Sequence, residues 1–410
     1  MKHFLAVLIL IGCACMLFAC NSKTKTVFTG EAYTQNHGTE RLCETDSAYF
    51  IAKPHENKSQ DSATLYLYYC DKAGLTGFSP YCNRAECSHS DTDCNAYLGI
   101  CKAIAAYDGQ ILYVTDNMSG RTSPKLMRMG IGGMSHEEIC EITPPESEGV
   151  YSCSYMNYYF HYNHLIYSVS FSNVDEEEAS YYALYALDIN APENAPIEFL
   201  KVNKGNPDYS RLSVGGGTLL GGTRDTIYVA SYSLFECSLD TGKYTAHKFP
   251  SDAEINPHGE YINGKILYFK ENSNKKTDLY EYDPATEKEV KLNTDKNAFP
   301  IGGIIAEEYV YIVYPKITYT GPDGNVILSL GDDMECGLYV YRHNGELVKF
   351  VKEQYPMRQS YLMNNDLLCF ENKGEYALTE DIELRFPMYS FDITDLDGEW
   401  RVIGGSDRAD

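Results

Sequence analysis

Short runs in which large apolar residues alternate with smaller or polar ones recur along this chain, and most carry tyrosine. The first is Leu65-Tyr66-Leu67-Tyr68-Tyr69-Cys70-Asp71. Related runs begin at Leu126, Leu184, Leu234, Leu279, Leu338 and Met388, at steps of 45 to 61 residues. Several end in Asp and pass into a turn, as Asp240-Thr241-Gly242-Lys243 and Asp283-Pro284-Ala285-Thr286 do. Each has an apolar partner upstream, such as Ala48-Tyr49-Phe50-Ile51, Ile111-Leu112-Tyr113-Val114 or Ile266-Leu267-Tyr268-Phe269. Asp108-Gly109, Asn263-Gly264 and Asn364-Asn365 precede three of these partners, and such residues tolerate the positive φ of tight hairpins. Period-two alternation with β-branched and aromatic residues reads as strand.

The repeating unit is therefore a turn, an apolar strand, a variable loop, a Leu-Tyr strand, an Asp/Gly turn and a last strand. Internal repetition at this period, with no long helical pattern between copies, is the signature of a β-propeller, whose blades are four-stranded antiparallel sheets. We read an all-β chain forming one propeller of seven four-stranded blades; six or eight would also fit, because the second and last copies are weak. Its Leu-Tyr-x-Tyr-Asp strands and Thr-Gly-Lys turn resemble those of YVTN/quinoprotein-like and TolB-like propellers over about residues 45–402. That resemblance implies architecture and assigns no activity.

The N-terminus departs from this pattern. Lys2 is followed by an apolar stretch from Phe4 to Leu17, of h-region length and short for a bilayer span. Leu17-Phe18-Ala19-Cys20 then meets the polar Asn21-Ser22-Lys23. These residues resemble the lipobox of bacterial lipoproteins, which implies cleavage before Cys20 and diacylglyceryl on its sulfur; an ordinary secretory signal is the rival. More than one acyl chain anchors stably where a single chain is marginal. The expected organisation is a signal peptide at 1–19, the lipidated Cys20 and a tether at 20–44, the propeller at 45–402 with a Cys-rich insertion at 80–101, and a C-terminal tail at 403–410. The expected location is the cell envelope, outside the cytoplasm.

Charge narrows the partners. The chain holds 58 acidic against 34 basic residues, net −24. Such a balance opposes nucleic acid and any electrostatic grip on anionic lipid, so membrane contact rests on the lipid. The 36 tyrosines read first as strand packing and second as stacking platforms for sugars.

The one local sequence with metal-type chemistry is Cys82-x4-Cys87-x-His89-x4-Cys94, within the insertion. A disulfide between two of the thiols suits an exported chain and is the first reading, with Cys101 as a further partner. A tetrahedral structural Zn²⁺ on Cys82, Cys87, His89 and Cys94 is the second, and inert packing the third. Four protein ligands would leave no open position, so a catalytic metal is disfavoured and no cofactor is required. The segment also resembles one in surface lipoproteins of anaerobic bacteria, where a lipobox precedes a Tyr-rich propeller; this implies architecture and location only. Of the fourteen cysteines, Cys70, Cys237 and Cys369 fall on strands and read as small buried hydrophobes.

Other motifs carry less. His136-Glu137-Glu138-Ile139-Cys140 begins like a zinc-protease helix but has Cys where the second His is required. Gly215-Gly216-Gly217 reads as a turn in a β context. Asp392 to Glu399 is out of register for a Ca²⁺ loop and reads as a blade turn. His161 and His164 flank a turn. The favoured reading is a binding or scaffold module for a glycan, peptide or envelope protein, meeting its ligand where loops converge at one end of the channel. Whether the chain is an enzyme stays open, leaning against. Its rivals are a propeller lyase or glycosidase on acidic polysaccharide and a subunit of an envelope assembly complex.

Overall fold

A computed structural model describes residues 41–404 except 56–63, 108, 117–122, 144–150, 174, 176–178, 216, 250–258, 272–276, 293–301, 307, 315–317, 321–325, 330–336, 353–356, 364–365 and 372–388. The strands form seven antiparallel sheets in which spatial order follows chain order. This is the expected seven-bladed propeller, and the described residues are 59% strand and 4% helix. The first strands of neighbouring blades lie side by side around the axis. A two-stranded hairpin, Thr318–Thr320 with Val326–Ser329, is added between the second and third strands of blade 6. The weak second and last copies are both genuine third strands, Lys125–Met129 and Tyr389–Asp392.

Period-two alternation explains the ring. In the third strand of blade 1, Leu65 and Leu67 pack toward blade 2 with Ile104, Ile111 and Met129. Tyr66, Tyr68 and Cys70 face the other way, toward Tyr361 and Leu368 of blade 7. Blade 3 repeats the pattern: Ala183, Tyr185 and Leu187 face blade 2, whereas Tyr182, Leu184 and Ala186 face blade 4. Each of these third strands thus serves two cores. Each junction between neighbouring blades has its own apolar cluster, including the one that joins the chain's last blade to its first.

Among the described residues no sheet mixes strands from the two ends of the chain, so that last junction is closed by side chains and a backbone bond. The Tyr49 hydroxyl, buried in blade 1, donates to Asp366 Oδ2 of blade 7 at 2.5 Å, and Arg401 pairs with the same carboxylate. Burial and the Asp366 charge push the Tyr49 phenol well above its usual pKa, so it stays a donor. The Gly404 N–H donates to the Leu75 carbonyl at 2.8 Å across the same seam.

A meander of four strands sends alternate connections to opposite ends. First-to-second strand links are two or three residues and third-to-fourth turns four to eight, all at one end. The second-to-third connections and the links between blades start and end at the opposite strand ends; their described parts include the helix Pro207–Gly215 and the hairpin of blade 6. We call these the turn face and the loop face.

Several expectations shift. Leu42–Glu44, within the stretch read as tether, is the buried first strand of blade 1, because Leu42 and Cys43 fill the cores on its two sides. Gly215 ends a short helix, Pro207–Gly215, rather than a β turn; Asn206 caps its start through Oδ1 to the Asp208 N–H at 2.9 Å. His136–Glu141 is strand, since Ile139 and Cys140 pack on a sheet face. Asp392 begins a third-to-fourth turn, as expected, its Oδ1 accepting from the Thr394 N–H.

His161, fully buried, holds the Thr223 carbonyl through Nε2 at 2.8 Å, linking the turns of blades 3 and 4. Burial lowers its pKa to about 4, with His164 adding to the depression against the opposing Thr223 bond. Two outcomes follow from these contacts. Tyr49→Phe keeps the seam's packing but loses a charge-assisted bond, and should lower unfolding free energy by about 2 kcal/mol in denaturant titration. The unfolded chain takes up a proton at His161 near its ordinary pKa of 6.5 and the folded chain only near 4. Stability should therefore fall as pH drops through that window, by about 3 kcal/mol from this residue, and His161→Gln should flatten the slope in pH-dependent unfolding.

Candidate metal centre

The Cys-rich segment is not a loop between blades; it interrupts the edge strand of blade 1. Ser79 and Pro80 pair with Tyr69 and Tyr68, and Tyr97 and Gly99 resume the pairing with Tyr66 and Leu65. Between them Leu67 bonds both sides of the gap. Its carbonyl accepts from the Tyr81 N–H and its N–H donates to the Ala96 carbonyl, both at 2.8 Å. Residues 82–95 therefore leave and re-enter the ladder at a single residue, as a closed excursion.

Inside it, Cys82, Cys87, His89 and Cys94 bring four ligand atoms within 4.8 Å of one another. Cys94 Sγ stands 3.5 Å from His89 Nδ1. In a zinc tetrahedron with bonds of about 2.3 Å to sulfur and about 2.0 Å to nitrogen, that edge is roughly 3.5 Å. His89 adopts a left-handed φ of 56°, a conformation that costs a non-glycine residue energy and persists where its surroundings enforce it. Short local bonds shape the rest: Cys87 N–H to the Arg84 carbonyl, Cys94 N–H to the Asp91 carbonyl, and Arg84 Nη1 to the Asp93 carbonyl.

Backbone donors point at the sulfurs. The Ala96 N–H lies 3.3 Å from Cys94 Sγ. Burial raises the Cys82 thiol pKa, but N–H donation from Arg84 and Asn95 and contacts with Cys87 and Cys94 outweigh it and bring the thiol below its usual value. Cys94 goes the other way, pushed up to about 12 by burial and by the neighbouring thiols, against the Ala96 donor. Three sulfurs this close cannot all ionise alone; a bound dication removes that conflict.

The excursion docks on blade 2. Asn83 and Asn95 bond each other at 2.7 Å, the Asn83 N–H donates to the Gly132 carbonyl, and His136 Nε2 meets the Asn95 carbonyl at 2.9 Å. Gly133 (φ 76°) fits beneath it only as glycine, since a Cβ there would lie 2.4 Å from the Tyr81 carbonyl oxygen. The sequence held a sign of this clasp, a Cys-Asn pair at each end of the excursion, Cys82-Asn83 and Cys94-Asn95, which motif spacing alone did not use.

Other expected residues fall elsewhere. Cys101 lies apart from the cluster, in the core between blades 1 and 2 with Cys43, and no disulfide forms among the ten described cysteines. Cys70, Cys237 and Cys369 are fully buried, as expected of packing residues. Cys20 lies outside the described residues.

A second feature, on the loop face, was not anticipated. Asp208 of the short helix accepts from both the Ser233 N–H and hydroxyl, at 2.8 and 2.9 Å, and so holds the 231–233 turn of blade 4. Tyr232 at its tip is 58% exposed, with the Arg211 guanidinium 5.4 Å from its ring centre.

No protein-family model and no curated protein matches this sequence. Among solved structures, the fold is similar to the β-propeller domain of the trilobed protease from Pyrococcus furiosus: 12% identity and TM-score 0.50, covering 93% of this chain and 99% of that one. It is also similar to puromycin hydrolase (11%, TM-score 0.52, covering 93% and 55%) and to Pyrococcus horikoshii acylaminoacyl peptidase (12%, 0.50, covering 92% and 53%). The chain spans about half the length of those two hydrolases. At such identity the likeness establishes a propeller and carries no activity.

Proposed function

We propose that this protein is a lipid-anchored propeller of the cell envelope that binds a glycan, peptide or envelope protein through its loop face. The observation that carries the reading is where the helix and the hairpin leave the ring. Among the described residues, the short helix and the extra hairpin emerge at the end where the second-to-third and blade-to-blade connections start, while the first-to-second links at the other end are two or three residues; the 82–95 excursion is apart from both, since it leaves the edge strand of blade 1 and docks on the 130–135 turn. Connections at the end of a rigid scaffold are where binding residues concentrate. Tyr232 with Arg211 supplies an exposed aromatic and a guanidinium on that face, residue types that dominate binding energy and that stack on sugar rings or peptide side chains. The anchor rests on Leu17-Phe18-Ala19-Cys20 and the apolar run before it.

Two measurements test this. Cys20→Ser should abolish incorporation of a labelled fatty acid and move the protein from the membrane to the soluble fraction; unchanged labelling overturns the anchor. Purified envelope polysaccharide, envelope peptides and solubilised envelope proteins, each titrated by calorimetry, should include one that binds saturably and is recovered chemically unaltered. Tyr232→Ala should weaken that binding about tenfold, the loss of roughly 1.4 kcal/mol typical of an anchor residue, whereas Ile131→Ser on the turn face should not. A cleaved polysaccharide would make the protein a lyase or glycosidase instead.

A further inference from the structure

We propose that Cys82, Cys87, His89 and Cys94 bind one Zn²⁺, and that this ion clamps the 82–95 excursion so that blade 1 keeps its edge strand and its grip on blade 2. The site is independent of whatever the loop face binds.

Geometry supplies the first argument. Four ligand atoms converge within 4.8 Å, and the sulfur–nitrogen separation of 3.5 Å equals a zinc tetrahedron's edge. Three thiolates and an imidazole are a closed structural set, suited to zinc by softness and by shape. The donors aimed at Cys82 and Cys94 are of the kind that orient and stabilise metal-bound thiolate.

Elimination supplies the second. Three thiols can form one disulfide, which would leave the third thiol and His89 gathered for no purpose. Cys101, the remaining candidate partner, sits in the core with Cys43. Inert packing fails as well. Apart from its cysteines, the excursion offers only Ala85 as an apolar side chain, and that residue is exposed. Its cysteines reach the edge of the seam's apolar cluster, but the other ten residues are polar and have no core that would hold a left-handed histidine by burial.

The third argument concerns what the ion would hold. Leu67 must accept from Tyr81 and donate to Ala96, residues fifteen apart in sequence. Closing that loop costs chain entropy, and a metal spanning Cys82 and Cys94, the two ends of the excursion, offsets it. Asn83 and Asn95, the next residues at each end, carry the contacts to Gly132 and His136 of blade 2. The ion, the ladder and the docking to blade 2 therefore meet within a few residues.

The test uses the full chain, purified without chelator. Elemental analysis should find one zinc per chain, and native mass should exceed denatured mass by one zinc ion less the protons it displaces. Replacement by Co²⁺ should give the intense visible absorption of tetrahedral cobalt with sulfur-to-metal charge transfer. Cys94→Ser and His89→Ala should lose the ion, while His89→Cys, which keeps a four-ligand set, should retain it. Should the variants fail to fold, chelation of the wild-type chain decides: hydrogen exchange should rise at Leu67, Asn83 and Tyr97, the thermal midpoint should fall, and added Zn²⁺ should restore both. A metal-free folded chain with a disulfide among Cys82, Cys87 and Cys94 overturns the site. Full zinc occupancy with no change in exchange at Leu67 or Asn83 on chelation overturns the clamp.

Discussion

Everything in this molecule depends on burying both faces of every blade. A four-stranded sheet of fifty-odd residues has two apolar faces and cannot cover either alone. The third strands answer this with strict alternation: Leu65 and Leu67 go one way, Tyr66 and Tyr68 the other, and each set finishes a core begun by a neighbour. A linear stack of such blades would leave one apolar face bare at each end. Curvature into a ring removes both, and the cluster of Tyr49, Tyr66 and Tyr68 with Tyr361 and Leu368 is where the removal happens. Tyrosine suits the role because its ring fills an interface while its hydroxyl finds a partner at the rim. Tyr107 and Tyr282 do this with the Tyr162 and Lys248 carbonyls, Tyr185 and Tyr268 with Glu198 and Glu289.

The seam between the last blade and the first differs from the others. Six junctions are secured by a chain that runs continuously from blade to blade; among the described residues this one is held by packing, the Tyr49–Asp366–Arg401 contacts and a backbone bond at Gly404. Its charged partners are buried or half-buried rather than fully solvated, and this setting makes such a contact worth more than a surface pair. The zinc-type cluster lies on the same blade. Cys94 and Ala96 belong to the seam's apolar cluster, while Asn83 and Asn95 reach blade 2. Blade 1 therefore carries reinforcement on both sides, at the place where the ring is not covalently continuous.

Much of this was legible in sequence, for a definite reason. Second and third strands lie in the middle of each sheet, buried on both faces, so their apolar alternation is dense: Ile266 to Phe269 and Leu338 to Tyr341 announce themselves. First strands were not legible one by one. Gly302–Ile305 and Gly259–Ile262 are four residues each, and Thr218–Gly222 ends in a glycine whose Cβ would collide with the Thr226 carbonyl. Such short, glycine-bearing stretches look like turns. The same ambiguity placed Leu42–Glu44 in the tether. The four ligands were visible by residue type and spacing, but their choice between disulfide and metal was not, because that depends on where chain distant in sequence sits. Cys101 looked available from its number alone and proved to lie in a different core.

Free thiols in a chain with an export-type N-terminus need a physical account, and burial gives one for most of them. Oxidation proceeds through thiolate, and burial holds Cys43 and Cys237 far on the thiol side. Cys70 is raised by the same cause. Cys140 is pushed up to about 11, and Cys153, exposed on the first strand of blade 3, is raised more modestly. Cys82 goes the other way, lowered by the N–H groups that face it. Two further sulfurs, those of Cys87 and Cys94, lie within reach of it. A bound dication would occupy its lone pairs and those of its neighbours, and so withdraw from oxidation three thiols that stand together.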